Sequence, residues 1–365
     1  MKIISVAGAR PNFMKIAPLM EAFSHQPTIE PMLVHTGQHY DERMSDLFFR
    51  QLGIPKPDVN LGVGGGSHAV QTAEVMKAFE PVVLEHKPDA VLVVGDVNST
   101  IACGLVAVKL GVKLIHVESG LRSGDRSMPE EINRILTDSI SDYLFCTEKS
   151  GMENLAREGV PEDRMFLVGN VMIDTLLKNR SKADQSQILN DLGLHQGQYA
   201  VLTLHRPSNV DDPAVFGRLI EALEVVQHDL PVIFPIHPRT RNNLAKGALG
   251  GRVEAMTNLR MIEPAGYLDF LKLTANAKVV LTDSGGIQEE TTILKVPCIT
   301  MRENTERPIT VEVGSNYLVG TDPKNILKAY RDVMSGAGKA AGIPPLWDGK
   351  AAQRIAEILV QKLRK

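Results

Sequence analysis

Glu118 continues the apolar run Leu114-Ile115-His116-Val117 and is followed by Ser119-Gly120-Leu121-Arg122. A carboxylate at the end of a buried strand has no local structural duty, so it reads as a group aimed into a crevice. Two other acidic positions follow the same plan: Asp96 after Val91-Leu92-Val93-Val94-Gly95, and Glu130-Glu131 after Met128-Pro129. Asp96 also fits a cap for the helix that begins near Asn98, and an acidic pair after proline is the ordinary first turn of a helix. Carboxylates gathered in a partly dry crevice raise one another's pKa above the ~4 of free side chains. Such a group supplies a candidate acid beside a candidate base.

A second set of residues suits an anion. After the first apolar run comes Gly8-Ala9-Arg10-Pro11-Asn12-Phe13-Met14-Lys15, which sets Arg10 and, about a turn on, Lys15 at a helix start. Two cations there suit a phosphate or diphosphate, and equally a solvated lysine with an arginine paired to a carboxylate. In the second half, Val279–Thr282 runs into Asp283-Ser284-Gly285-Gly286-Ile287-Gln288-Glu289-Glu290. Small residues at that turn let backbone N–H groups and the Ser284 hydroxyl reach a phosphate, and Glu290 could accept two ribose hydroxyls. The same turn is also a good N-cap without a ligand. His205, after Val201-Leu202-Thr203-Leu204, could donate to a diphosphate or a leaving oxygen. His237 in Ile236-His237-Pro238 fits a loop-stabilising role as well, and Arg302 and Arg307 form another anion clamp. There is no GxGxxG after the first strand and no GxxxxGK[ST] anywhere; Gly62-Val63-Gly64-Gly65-Gly66-Ser67 reads as a flexible loop.

These residues need a frame that brings strand ends together. Short β-branched runs alternate with longer amphipathic ones, the pattern of parallel sheets covered by helices. The first half offers strands at Ile3–Ala7, Met32–His35, Ala90–Val94, Lys113–Val117, Tyr143–Cys146 and Met165–Val168, with helices that include Met14–Ser24, Glu42–Leu52, Ser99–Leu110 and Glu130–Ile140. A polar stretch, Asn179–Gln187, reads as a linker. A second series follows, with strands at Ala200–Leu204, Val232–Ile236, Leu259–Ile262, Val279–Thr282, Pro297–Thr300 and Tyr317–Val319. The expected class is α/β: two doubly wound Rossmann-like domains over 1–180 and 181–349, with a last helix in 350–365 packing back on the first. Ligands of such sheets bind at the carboxyl ends of the strands, so the active site is expected in an interdomain cleft.

Composition narrows the function without identifying it. The chain has 365 residues, 43% hydrophobic and 23% charged, enough for a sizeable core without disulfides or a structural metal. Lys plus Arg is 40 against 43 Asp plus Glu, which gives no reason to expect nucleic acid or an anionic membrane as partner. No apolar run approaches the ~18 residues of a membrane span. Cys103, Cys146 and Cys298 are far apart and lie in apolar stretches, as reduced core thiols of a cytoplasmic protein do. No metal site is read.

The motifs together resemble the non-hydrolysing UDP-N-acetylglucosamine 2-epimerase family over essentially the full length. The matching segments are Gly8-Ala9-Arg10-Pro11 with Lys15, Gly95-Asp96, His116–Arg122, Pro129–Arg134, His205-Arg206, Asp283–Glu290 and Thr305-Glu306-Arg307-Pro308. The resemblance implies a glycosyltransferase-B type fold, a homodimer, and interconversion of UDP-GlcNAc and UDP-ManNAc through 2-acetamidoglucal with no redox cofactor. It also implies catalytic roles for Asp96, Glu118, Glu130 and His205, and a UDP site made of Arg10, Lys15, Phe270, Ser284, Gly285, Gly286, Glu290 and Arg307. Pro207-Ser208-Asn209 stands where the commonest pattern has Glu-Asn. Gln38-His39-Tyr40-Asp41-Glu42-Arg43-Met44 differs from the Gln-His-Arg-Glu type of members with an allosteric UDP-GlcNAc site. His35–Asp41 and Gly53–Asp58 also look like relatives that epimerise UDP-2,3-diacetamido-2,3-dideoxyglucuronate, which is the alternative substrate. A retaining glycosyltransferase and a non-catalytic nucleotide-sugar sensor are further alternatives.

Overall fold

The computed structural model of the chain describes residues 1–37 and 52–363, the Arg10 side chain apart. It divides into two compact units, Met1–Lys178 with Pro345–Lys365, and Asn179–Pro344. The helix expected over Glu42–Leu52 (Leu52 apart) and the segment Gln38–Met44 lie outside the described residues.

Among the described residues the first unit is built on seven parallel strands: β1 (Lys2–Ala7), β2 (Glu30–His35), β3 (Val59–Asn60), β4 (Ala90–Val94), β5 (Lys113–Ser119), β6 (Tyr143–Cys146) and β7 (Met165–Leu167). Their order in the sheet is β3-β2-β1-β4-β5-β6-β7. The chain winds outward one way from β1 and then returns to wind the other way from β4, so the sheet's switch point lies between β1 and β4. Its described helices include α1 (Arg10–Ser24), α2 (His68–His86), α3 (Asn98–Lys109), α4 (Pro129–Ile140), α5 (Lys149–Arg157) and α6 (Val171–Ala183). β4 reads as an unbroken apolar run because both faces of a parallel sheet are covered. On one face Ile4, Val6, Val91 and Val93 pack with Val75, Phe79 and Val83 of α2 and with Ala102, Cys103 and Val106 of α3. α2 starts where Ser67 accepts a hydrogen bond from the Val70 amide, ending the glycine-rich stretch that precedes it.

The second unit carries six parallel strands: β8 (Ala200–Thr203), β9 (Val232–Pro235), β10 (Leu259–Ile262), β11 (Val279–Thr282), β12 (Cys298–Thr300) and β13 (Asn316–Leu318). The order is β10-β9-β8-β11-β12-β13, with a switch point between β8 and β11. Strand residues alternate between two cores with the period of two expected of a pleated strand. Leu202, Phe234, Val279 and Leu281 join α7 (Pro213–Asp229) and, further along, the later helix Pro323–Met334. Val201, Ile233 and Val280 face the other way, towards Leu273 of α8 (Tyr267–Ala275) and Ile287 of α9 (Gly285–Leu294). α10 is the helix Pro323–Met334, started by the Asp322 side chain.

The last helix, α11 (Ala351–Lys362), belongs to the first unit and packs on α1. Two groups anchor it. Trp347 is fully buried and donates its indole N–H to the carbonyl of Thr147 at 3.0 Å. Asp174 accepts the amides of Ala351 and Ala352, the first turn of α11, while burial pushes its carboxyl up to about 6.

The expected linker region begins where the two units divide, at Lys178/Asn179, and its first five residues are helical, because α6 runs on to Ala183 with good helix formers such as Arg180 and Lys182. The short strand β3 was not expected, two residues being too few to show a period. All three cysteines are free and buried, and burial pushes Cys298 up to about 11 and Cys146 up to about 12, as suits unreactive core thiols.

Candidate active site

The switch point of the first sheet gathers most of the residues that the sequence singled out there. Lys15, one turn into α1, places its Nζ 2.7 Å from Oε2 of Glu118, and both side chains are buried. Glu118 reaches it through an unusual backbone: its φ is +70°, and the register of β5 against β6 shifts between Val117 and Ser119. A non-glycine residue in the left-handed region costs roughly 1–2 kcal/mol, and a bulge of this kind re-aims a side chain. Gly95 completes the corner. Its φ is +65°, the left-handed region that glycine adopts without strain, and a Cβ there would lie 2.9 Å from the lysine Nζ.

Asp96 follows directly. Its carboxylate accepts from Arg134 Nη2 of α4 at 2.7 Å, and its backbone carbonyl accepts from Asn133 Nδ2 at 2.9 Å. Arg134 is fixed in turn by Glu131, which is buried and also accepts the amides of Ser123 and Gly124. Glu130, the member of that pair singled out from the sequence, is exposed on the same first turn and makes no hydrogen bond or ion pair among the described residues. Behind this layer His116 is completely buried, with Nε2 2.8 Å from the Gly95 carbonyl and Nδ1 2.6 Å from Oδ1 of Asp138. Asp138 Oδ2 accepts the Gly120 amide and Arg122 Nη1. Burial alone would raise the Asp138 carboxyl, but His116 and Arg122 outweigh it and hold it below the usual range. One buried carboxylate thus ties together the two loops that carry Asp96 and Glu118.

The switch point of the second sheet holds the other set. Asp283, at the end of β11, is fully buried and accepts the amides of His205 and Arg206, together with the His205 ring Nδ1 at 2.9 Å. Burial pushes its carboxyl up, and His205 more than offsets this, so it stays below the usual range. Ser284 precedes α9 without capping it through its side chain, which leaves the hydroxyl and the first amides of α9 at the turn. Gly285 is required here by Arg307: an added Cβ would stand 2.7 Å from the guanidinium. Arg307 bonds Glu289 at 2.7 Å and Glu306 at 3.3 Å. Arg302 grips Glu306 with two hydrogen bonds and Arg206 approaches it at 3.6 Å. Against its burial, these arginines hold Glu306 far below the normal carboxylate range.

Glu290 behaves in the opposite way. It is buried, makes no hydrogen bond or ion pair among the described residues, and is pushed up to about 8 by burial and by the neighbouring Glu289. Tyr267 of α8 lies within its field and is raised by burial and then by Glu290. Phe270, one turn on, is half-buried against the core that contains Ile287. The turn therefore joins donors (amides, Ser284, Arg307) to a buried carboxyl whose pKa is raised.

The structure brings Lys15, Asp96 and Glu118 to one corner, and sets His205 on Asp283 and Gly285 against Arg307 at the second switch point, with Ser284, Gly286 and Glu290 on the same turn and helix; Phe270 is placed by its packing on the neighbouring core. Arg10 opens α1, but its side chain lies outside the described residues. Asn133 and Arg134 lie in the matching segment Pro129–Arg134 but were given no role there, and Asp138 was not singled out at all; inside an amphipathic helix no local signal distinguishes it from the polar face. Among the described residues no group of three or more His, Cys, Asp or Glu could hold a metal ion. Nor is any helix among the described residues long and apolar enough to cross a membrane.

Comparison with known proteins gives a consistent result. A family model described as UDP-N-acetylglucosamine 2-epimerase matches residues 21–360. A UDP-N-acetylglucosamine 2-epimerase of Methanocaldococcus jannaschii is 43% identical, over 98% of this chain and 99% of its own length. A UDP-2,3-diacetamido-2,3-dideoxy-D-glucuronate 2-epimerase of Pseudomonas aeruginosa is 42% identical, over 99% and 100%. The crystal structure of the M. jannaschii UDP-GlcNAc 2-epimerase in complex with UDP-GlcNAc and UDP superimposes with a TM-score of 0.91 at 43% identity, covering 99% of this chain and 100% of that one.

Proposed function

Because this chain belongs to the UDP-N-acetylglucosamine 2-epimerase family, we propose that it interconverts UDP-GlcNAc and UDP-ManNAc by eliminating UDP and adding it back. In the first half-reaction the C2–H bond gives up its proton to a protein base while the C1–O bond breaks, leaving 2-acetamidoglucal and UDP. In the second, the UDP oxygen attacks C1 again and C2 takes a proton on the opposite face. A C2 proton beside an acetamido group is weakly acidic, so departure of UDP runs ahead through an oxocarbenium-like state. Asp96, Glu118 and Glu130 are the proposed group that stabilises this cation and carries the proton. His205, Arg307, Arg10, Lys15, Ser284 and the amides of Gly285 and Gly286 hold and neutralise the diphosphate, and Glu290 accepts the ribose hydroxyls.

The observation that carries this reading is Glu118: a buried carboxylate held in a strained backbone at a switch point, against Lys15 at 2.7 Å. Such strain persists where function requires it. Incubation with UDP-GlcNAc in deuterated water tests the reaction. Deuterium at C2 together with UDP-ManNAc is expected; absence of both, with tight UDP binding, would leave a nucleotide-sugar sensor. The P. aeruginosa relative supports a second substrate, the 2,3-diacetamido-glucuronate, and turnover of that sugar alone would replace the first reading.

Two further features fit a dimeric cytoplasmic enzyme. Val70, Leu84, Val108 and Leu136 are exposed on the helices α2, α3 and α4, which pack side by side, and a second copy would cover them. The three free thiols suit a reducing compartment. Sedimentation of the purified chain tests the first point.

A further inference from the structure

His205 is half-exposed, but its orientation is set entirely from behind. Nδ1 lies 2.9 Å from Oδ1 of Asp283, whose side chain is completely buried and whose other contacts are the amides of His205 and Arg206 and, at 3.5 Å, Asn209 Nδ2. These are all donors, so the carboxylate has no proton of its own to give and takes one from Nδ1. The other charged or titratable groups around the ring are Arg206, whose Nε donates to the Asp283 backbone carbonyl, and His237, whose ring lies 5.9 Å away. His237 Nδ1 accepts the Arg239 amide at the start of the helix Pro238–Lys246, so it is committed to that turn.

We infer that Asp283 is a positioning residue for the epimerisation, acting through His205: it fixes the ring with hydrogen on Nδ1 and leaves Nε2 as the nitrogen that takes and returns a proton at the diphosphate. The inference rests on the reaction proposed above. When the C1–O bond breaks, a protonated Nε2 donates to the departing diphosphate oxygen and the carboxylate behind compensates the ring's charge. When UDP returns to C1, the same nitrogen is ready to take the proton back. An amide in place of the carboxylate reverses the arrangement. Its oxygen would keep the amides of His205 and Arg206, but its NH2 would face Nδ1 and force the hydrogen onto Nε2. The ring would then offer a fixed neutral donor and could not accept a proton at the diphosphate.

The test is nitrogen NMR of protein labelled at histidine, at a pH where the ring is neutral, with the His205 signal assigned by its loss in His205→Asn. The wild type should carry hydrogen on Nδ1, Asp283→Asn on Nε2, and kcat of Asp283→Asn should fall at least about a hundredfold with KM within about threefold. A merely structural role for Asp283 would not exchange the tautomer. Hydrogen on Nε2 in the wild type, or an Asp283→Asn enzyme within threefold of wild-type kcat, overturns the inference. Should the variant not fold, the wild-type spectrum still decides the tautomer. Absence of deuterium at C2 in the wild type defeats the proposed reaction instead, and the tautomer measurement is independent of it.

Discussion

Lys15 Nζ and Glu118 Oε2 form a 2.7 Å ion pair in which both side chains are almost excluded from water. The pair joins the first turn of α1 to the end of β5, across the corner that Gly95 leaves open. Each charge is buried, so removing either one takes from the other a partner that offsets its desolvation.

Lys15→Met should therefore destabilise the first unit by about 3–5 kcal/mol, the usual penalty for removing one partner of a buried ion pair. Hydrogen exchange of the β5 amides measures this locally. The double variant Lys15→Met with Glu118→Gln, which removes both charges, should be more stable than the single one. A double variant as unstable as Lys15→Met shows that the pair is not coupled.

Glu118→Gln keeps the shape of the side chain and removes its charge and its capacity to carry a proton. The expected result is a rate lower by at least about a thousandfold, roughly 4 kcal/mol of barrier, with UDP affinity little changed. C2 deuterium exchange in the same variant should fall in parallel. Unchanged exchange would place the proton transfer elsewhere.

Glu290 makes a pH prediction. Folding moves its carboxyl from an ordinary 4.5 to about 8. Between those values the native state holds a proton that the unfolded chain has released, so stability falls as pH rises through that window and is regained on acidification. Asp174, raised to about 6, acts in the same direction over a narrower range. Glu290→Gln should flatten the fall in Tm between pH 5 and pH 8, measured by calorimetry of the free protein. A slope identical to wild type assigns the pH dependence to other groups.

Gly285→Ala tests the contact between the α9 turn and Arg307. The added methyl would sit 2.7 Å from the guanidinium, and the arginine is held by Glu289 and Glu306, so it cannot swing away without losing both. UDP affinity should weaken about tenfold, near 1.4 kcal/mol, with Tm changed by little. Titration calorimetry with UDP reads the loss; full affinity would detach this turn from the nucleotide site.

Much of this was legible before any coordinates. The expected strands in the second half agree with the observed ones to within about a residue at each end. Periodicity and β-branched runs depend on neighbours in the chain, and buried parallel strands carry that signal strongly. The residues placed just after strands were legible for the same reason. Glu130 shows the limit: two adjacent acids at a helix start look alike in sequence, and only packing separates the buried Glu131 from the exposed Glu130.

The sequence by itself determined the alternation of strands and helices and the residue types at their ends, because those follow from local sterics and the periods of the two elements. Tertiary structure alone decided that β1 lies beside β4 and β8 beside β11, and so which strand ends share a corner. It also decided that Asp138 serves His116, that Asp283 serves His205, and that Glu118 takes a positive φ. Each of those depends on burial shared between segments remote in the chain. A charge or a strained dihedral there is stable only because the assembled sheet supplies its partner and excludes water, and no short stretch of sequence carries that information.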